Sequence, residues 1–139
     1  MRMSRILTRL LAGVLLAGLM LGAVAARAGE VEIVHASFRH SNPGTWSVEV
    51  TLKHADTGWE HYADAWRVVA ADGKVLATRT LYHPHVNEQP FTRGLTGVAI
   101  PETMTTVFIE AHDKVHGWSQ QRLQIDLDRS SGKGFEVSR

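Results

Sequence analysis

Two histidines in this chain, His83 and His85, stand in an eleven-residue run, His83-Pro84-His85-Val86-Asn87-Glu88-Gln89-Pro90-Phe91-Thr92-Arg93, that joins two strand-like segments. Connections between strands are ordinarily built from Gly, Asn, Asp and Ser, which solve backbone problems, whereas His, Glu and Arg bind ligands. Two residues apart in an extended stretch stiffened by Pro84, His83 and His85 point their rings to the same side, as two ligands of one ion must. Neutral imidazoles with a carboxylate such as Glu88 suit zinc or copper(II), held at about 2.0–2.2 Å in the zinc case. His116, then His61 and His112, are the further candidate ligands. Glu88 and Arg93 also have a structural reading, as an ion pair that holds the loop in shape. The 139 residues include no cysteine, which excludes a type 1 copper site, an iron–sulfur cluster, thiol catalysis and c-type haem attachment.

Strands must position such a loop. The clearest is 45–54, where Trp46, Val48, Val50 and Leu52 alternate with Ser47, Glu49, Thr51 and Lys53, so one face is buried and one is wet. Segment 31–38 starts with Val31 and Ile33 in phase and continues with Val34, Ala36 and Phe38 out of phase, which predicts a bulge or a change of sheet. Ser41-Asn42-Pro43-Gly44 reads as a turn and Ala71-Asp72-Gly73-Lys74 as a hairpin between 65–70 and 75–82. A short strand or two, broken by Gly94 and Gly97, fills 91–100; 105–112 and 121–127 complete the set. No stretch after residue 28 has a helical period of helical length. Seven short strands separated by turn signals at roughly 8–12 residue spacing predict an all-β, immunoglobulin- or fibronectin III-like sandwich over 29–127, with Trp46 and Trp66 in its core. A small barrel is the alternative. The polar 128–139 is expected to be a loose tail.

In an up-and-down sandwich the connections alternate between two ends. The loops after 45–54, 75–82 and 105–112 then share one end, and they contain or adjoin six of the eight histidines: His54, His61, His83, His85, His112 and His116. His35 and His40 belong to the first strand and its end. The first functional reading is therefore a binding module for a transition metal at that end. A second uses the same loops to grip a protein or an envelope polymer, with Trp59, Tyr62, Arg93 and Trp118 as anchors, because Trp, Tyr and Arg dominate interface hot spots. An enzyme with His and Glu88 as base and acid is the third, and no serine-nucleophile or HExxH motif accompanies it.

Residues 1–28 differ in kind. Arg2, Arg5 and Arg9 precede an apolar run that ends at Ala26-Arg27-Ala28, the small-x-small pattern of a secretory signal peptide cleaved after Ala28. A membrane span needs about 20 apolar residues; this run is shorter and carries Gly13, Gly18 and Gly22. Without a cysteine at the cleavage site, a lipoprotein is not expected. Four of the 15 Lys and Arg (Arg2, Arg5, Arg9, Arg27) leave with the signal, so 11 remain against 14 Asp and Glu, a net charge of −3. A weakly acidic domain has no electrostatic footprint for nucleic acid. A periplasmic location is expected, with no membrane insertion after cleavage.

Taken together, Gly58-Trp59-Glu60-His61-Tyr62-Ala63-Asp64-Ala65-Trp66, the His83 to Arg93 run and Asp113-Lys114-Val115-His116-Gly117 resemble an uncharacterised family of small exported bacterial proteins. The resemblance covers most of the chain after residue 28. It implies export and brings no activity, cofactor or catalytic residue with it.

Overall fold

The computed structural model describes residues 29–139, and the expected signal peptide, 1–28, lies outside the described residues. The strands are β1 (Glu32–Asn42), β2 (Thr45–Lys53), β3 (Ala63–Ala70), β4 (Val75–Thr80), β5 (Phe91–Ala99), β6 (Thr106–Asp113), β7 (Gly117–Trp118), β8 (Leu123–Asp126), β9 (Ser131–Gly132) and β10 (Phe135–Ser138). One sheet runs β5-β2-β1-β10-β9, the other β4-β3-β6-β7, with β8 also paired to β6. The seven expected strands are β1 to β6 and β8, divided between two packed sheets as in a β-sandwich.

The core lies between the sheets. Val31, Ile33, Ala36 and Phe38 of β1 and its approach, the β2 row Trp46 to Leu52, and Phe91, Val98 and Ile100 meet Trp66, Val68, Val107, Ile109, Ala111, Ile125 and Leu127. Trp66 is fully buried and Trp46 nearly so. The phase change in β1 is a bulge: the register against β2 shifts between Ile33 and His35 and turns Val34 out to solvent. β5 is one strand rather than two. It passes straight through Gly94, and its register against β2 slips near Gly97, whose φ of 66° suits a bulge.

The tail expected to be loose is instead ordered structure. β10 pairs parallel with β1, from Ala36 opposite Phe135 to Arg39 opposite Ser138, and Phe135 and Val137 enter the core. The physical reason is the edge of β1, which β2 covers on one side only. β10 satisfies the other side and buries two apolar side chains in doing so.

The registers place the loops. Glu32 lies opposite Lys53 and Leu52 opposite Phe91, while Ala63 lies opposite Asp113 and Ala65 opposite Thr80. The end of β2, the start of β5, the start of β3, the end of β4 and the end of β6 therefore share one pole. The start of β1, preceded by Gly29 to Val31, shares it too.

Candidate metal centre

β2 and β6 each extend a buried row into a polar residue. After Trp46, Val48, Val50 and Leu52 the next residue in phase is His54; after Val107, Ile109 and Ala111 it is Asp113. Facing rows from two sheets thus end in an imidazole and a carboxylate, with the side chain of His54 1 % exposed and that of Asp113 not exposed at all. His61, from the loop between β2 and β3, completes a group whose donor atoms all lie within 4.8 Å of one another: His54, His61 and Asp113. Donors held about 2.1 Å from one ion in a tetrahedral site lie about 3.4 Å apart, so the widest-spaced pair would have to close by up to roughly 1.4 Å on an ion.

Two of the three, His54 and Asp113, are held from behind. His54 Nδ1 meets Asp56 Oδ1 at 2.5 Å, and the same oxygen accepts the Ala63 N–H at 3.0 Å. A carboxylate on Nδ1 leaves Nε2 to face the centre, the arrangement found behind metal-bound histidines. There His54 Nε2 donates to the Gly29 carbonyl at 2.9 Å and stands 4.0 Å from Asp113 Oδ2; to act as a ligand it would give up that proton and the hydrogen bond with it. Asp113 Oδ1 accepts the N–H groups of Val115 (2.9 Å) and His116 (2.7 Å) and the His116 ring Nδ1 at 3.1 Å. Burial pushes the Asp113 carboxyl up, but the backbone hydrogen bonds from His116 and Val115, then the His116 ring and its charge, outweigh it and hold the group below the usual carboxylate value. Asp113 is therefore a buried anion at neutral pH. His61 Nε2 stands 3.2 Å from Asp113 Oδ1, yet it is a buried nitrogen without an aligned hydrogen bond. The His116 ring lies 5.0 Å from that of His61 and 36 % of its side chain is exposed, so it borders the group on the solvent side.

The histidines expected at this pole fall into three sets. His61 and His116 join His54 around Asp113. His83 and His85 pack on each other, with ring centroids 4.5 Å apart, but neither belongs to the three-donor group. His85 is buried, stacked on Phe91 at 4.0 Å, and its Nε2 receives Arg93 Nη2 at 2.7 Å. Arginine only donates, so that nitrogen accepts and Nδ1 carries the proton, buried and without a partner. Burial first, then the charges of Arg93 and His83, lowers the His85 pKa, which keeps the ring neutral. Arg93 also donates from Nη1 to the Thr92 carbonyl, and across the loop its hydrogen bond goes to His85. Glu88 is exposed.

His112 is the third set. Its Nδ1 meets Asp64 Oδ1 at 2.5 Å and its ring lies edge-on to Trp118, which in turn has the Arg67 guanidinium 3.7 Å from its centroid. Of the candidate anchors, Tyr62 is buried, Arg93 and Trp118 are half-buried, and Trp59 is 64 % exposed. Asp56 joins the first two sets, because its Oδ2 accepts the His85 N–H at 2.7 Å. Gln89 does the same with its side chain, accepting from the His54 N–H and donating to the His85 carbonyl, both at 3.0 Å. A groove of about 890 Å³ bordered by Ile33, Val34, Leu123 and Phe135 contains none of these histidines.

No family model matches the chain, and no solved structure matches it. The chain is similar to a Halomicrobium mukohataei protein named "Putative lipoprotein", 34 % identical over 125 residues, covering 83 % of this chain and 61 % of that protein. It thus spans about three-fifths of the length of that relative. Lipidation of a cysteine is not open to the present sequence, which has none.

Proposed function

We propose that the protein is an exported, periplasmic β-sandwich that binds a divalent transition metal, zinc or copper, through His54 Nε2, His61 Nε2 and Asp113. One observation carries the reading: two imidazoles and a buried anionic carboxylate converge within 4.8 Å, with Asp56 locking His54 in the orientation that presents Nε2. Export is supported by the signal-like residues 1–28 and by the name of the similar protein, which is that of an envelope component. The donor set of two nitrogens and an oxygen without thiolate is the kind that zinc and copper(II) accept. Calorimetric titration of the exported protein with Zn²⁺ and Cu²⁺ tests it. His61→Ala and Asp113→Asn should each weaken binding by at least roughly tenfold, while His112→Ala, whose ring is already engaged with Asp64, should leave it unchanged. Equal affinity in all four proteins, or none in the parent, overturns the assignment.

A second reading, docking of an envelope protein at the same pole, has its own observation. Among the described residues, four of the six exposed large hydrophobic side chains, Trp59, Tyr82, Val86 and Val115, lie on the three loops of this pole. Trp59 would be its anchor, with Tyr62 packed edge-on behind it at 5.9 Å. Capture of a periplasmic partner that persists in chelator and is lost in Trp59→Ala would favour docking over the metal.

A further inference from the structure

Gly29 touches two of the pole histidines. Its carbonyl accepts from His54 Nε2 at 2.9 Å. A Cβ placed on its Cα would sit 2.8 Å from His116 Cε1 and 3.1 Å from His116 Nε2, so the Cα lies hard against that ring. Its φ is +84°. Two constraints therefore ask for glycine here, one of backbone and one of space. Residue 29 is also the first residue after Ala26-Arg27-Ala28, the bond that the small-x-small pattern marks for cleavage. Once a residue is N-terminal its φ no longer matters, but the steric demand of His116 persists.

We propose that processing after Ala28 creates a metal ligand: the free α-amino nitrogen of Gly29, which joins the pole site together with His116 Nε2. The inference rests on the reading of His54, His61 and Asp113 as a metal centre and names what completes it. An amine is a neutral nitrogen donor once deprotonated, of the class that copper(II) and zinc accept. On one residue the amine nitrogen and the carbonyl oxygen lie on either side of a single Cα, so they can chelate one ion in a five-membered ring. The Gly29 carbonyl is already at the centre, held by His54. The Cε1–Nε2 edge of the His116 ring lies against Gly29, and Asp113 takes Nδ1, which leaves Nε2 as the nitrogen open to a ligand role. Before cleavage the same nitrogen is an amide with no lone pair to offer, so the complete site exists only in exported, processed protein.

The test compares two exported proteins. The first is the full chain produced with its own leader and recovered after processing, its N-terminus read by mass spectrometry. The second carries two serines inserted between Ala28 and Gly29, which moves the amine about 7 Å along the chain and leaves every side chain in place. Cu²⁺ alone is the probe, with affinity read by competition and coordination by electron paramagnetic resonance. The processed parent should bind about 100-fold more tightly than the insertion variant, the upper end of the roughly 10- to 100-fold cost of losing a group behind a ligand, so the spectra and not the affinity alone identify the amine. Nitrogen-15 glycine labelling of the unaltered parent should change its superhyperfine pattern, a readout that needs no variant. His116→Ala should lower the affinity of the parent and barely alter that of the insertion variant. Equal affinity and identical spectra in the two proteins overturn the amine while leaving the His54, His61 and Asp113 centre standing. Absence of binding in both overturns the two together. Cleavage at any bond other than Ala28–Gly29 overturns the amine alone.

Discussion

Asp56 carries three hydrogen bonds on two oxygens, and each goes to a different segment: His54 at the end of β2, Ala63 at the start of β3 and His85 in the loop before β5. Asp56→Asn keeps the shape but turns one acceptor into a donor facing N–H groups. It should cost about 1–3 kcal/mol in urea unfolding and weaken metal binding by about 10- to 100-fold, because His54 loses the group that fixes its ring. His85 supplies a pH signature. Its folded pKa lies below the ordinary 6.5, lowered by burial, Arg93 and His83 against the opposing Asp56 and Glu88. As pH falls below about 6.5, the unfolded chain takes up the proton before the folded one, so this residue's contribution is intact above 6.5 and is lost toward the folded value. Unfolding free energies measured from pH 7.5 to 5 should fall less steeply in His85→Gln, which keeps an acceptor for Arg93 without a titrating ring; parallel curves would remove His85 from the account. The composition of the His83 to Arg93 run marks this end of the fold and brings His61 and His116 into view, yet it does not say which way each ring faces. Phase does. His54 and Asp113 continue core rows with a period of two, and a polar residue in phase with a core row is a buried polar residue that needs partners. Loop composition is the louder signal and the phase of His54 and Asp113 the quieter one.

Strands explain what was legible and what was not. Trp46 to Leu52 alternates over four pairs and Val107 to Ala111 over three, so β2 and β6 declare themselves locally, as does the β1 bulge through its change of phase. β10 does not. Phe135-Glu136-Val137-Ser138 alternates over two pairs only, amid Gly132, Lys133 and Gly134, and its partner β1 lies about 100 residues earlier in the chain. Nothing local announces a parallel pairing of that range. Its energetic weight is testable: Phe135 is 7 % exposed and lies in the core cluster. Phe135→Ala should destabilise the fold by about 3–5 kcal/mol in urea unfolding. A loss below about 1 kcal/mol would mean that the β10 segment contributes little to the core. Gly132 bears on the same contact, because any Cβ there runs into the Phe135 ring.

Across the whole molecule, the candidate centre joins the two sheets. His54 follows β2 in one sheet and Asp113 ends β6 in the other, and His61 lies on the crossing between them. An exported domain commonly secures such a junction with a disulfide, and this chain has no cysteine with which to do so. A metal ion bridging His54 to Asp113 would act as the equivalent clip, one that forms only in the folded state because the unfolded chain scatters its ligands. Stability must then depend on metal by mass action. With free metal at 100 times its dissociation constant, the unfolding free energy should rise by about 2.7 kcal/mol, and a chelator should return it to the metal-free value. Asp113→Asn should abolish the increment, since it removes the ligand contributed by the second sheet, whereas His83→Ala, at the exposed rim of the neighbouring pair, should retain it. Metal that binds with measurable affinity and leaves the urea midpoint unmoved would have to bind folded and unfolded chains alike. That outcome would place it on scattered surface histidines and not on the crossing between the sheets.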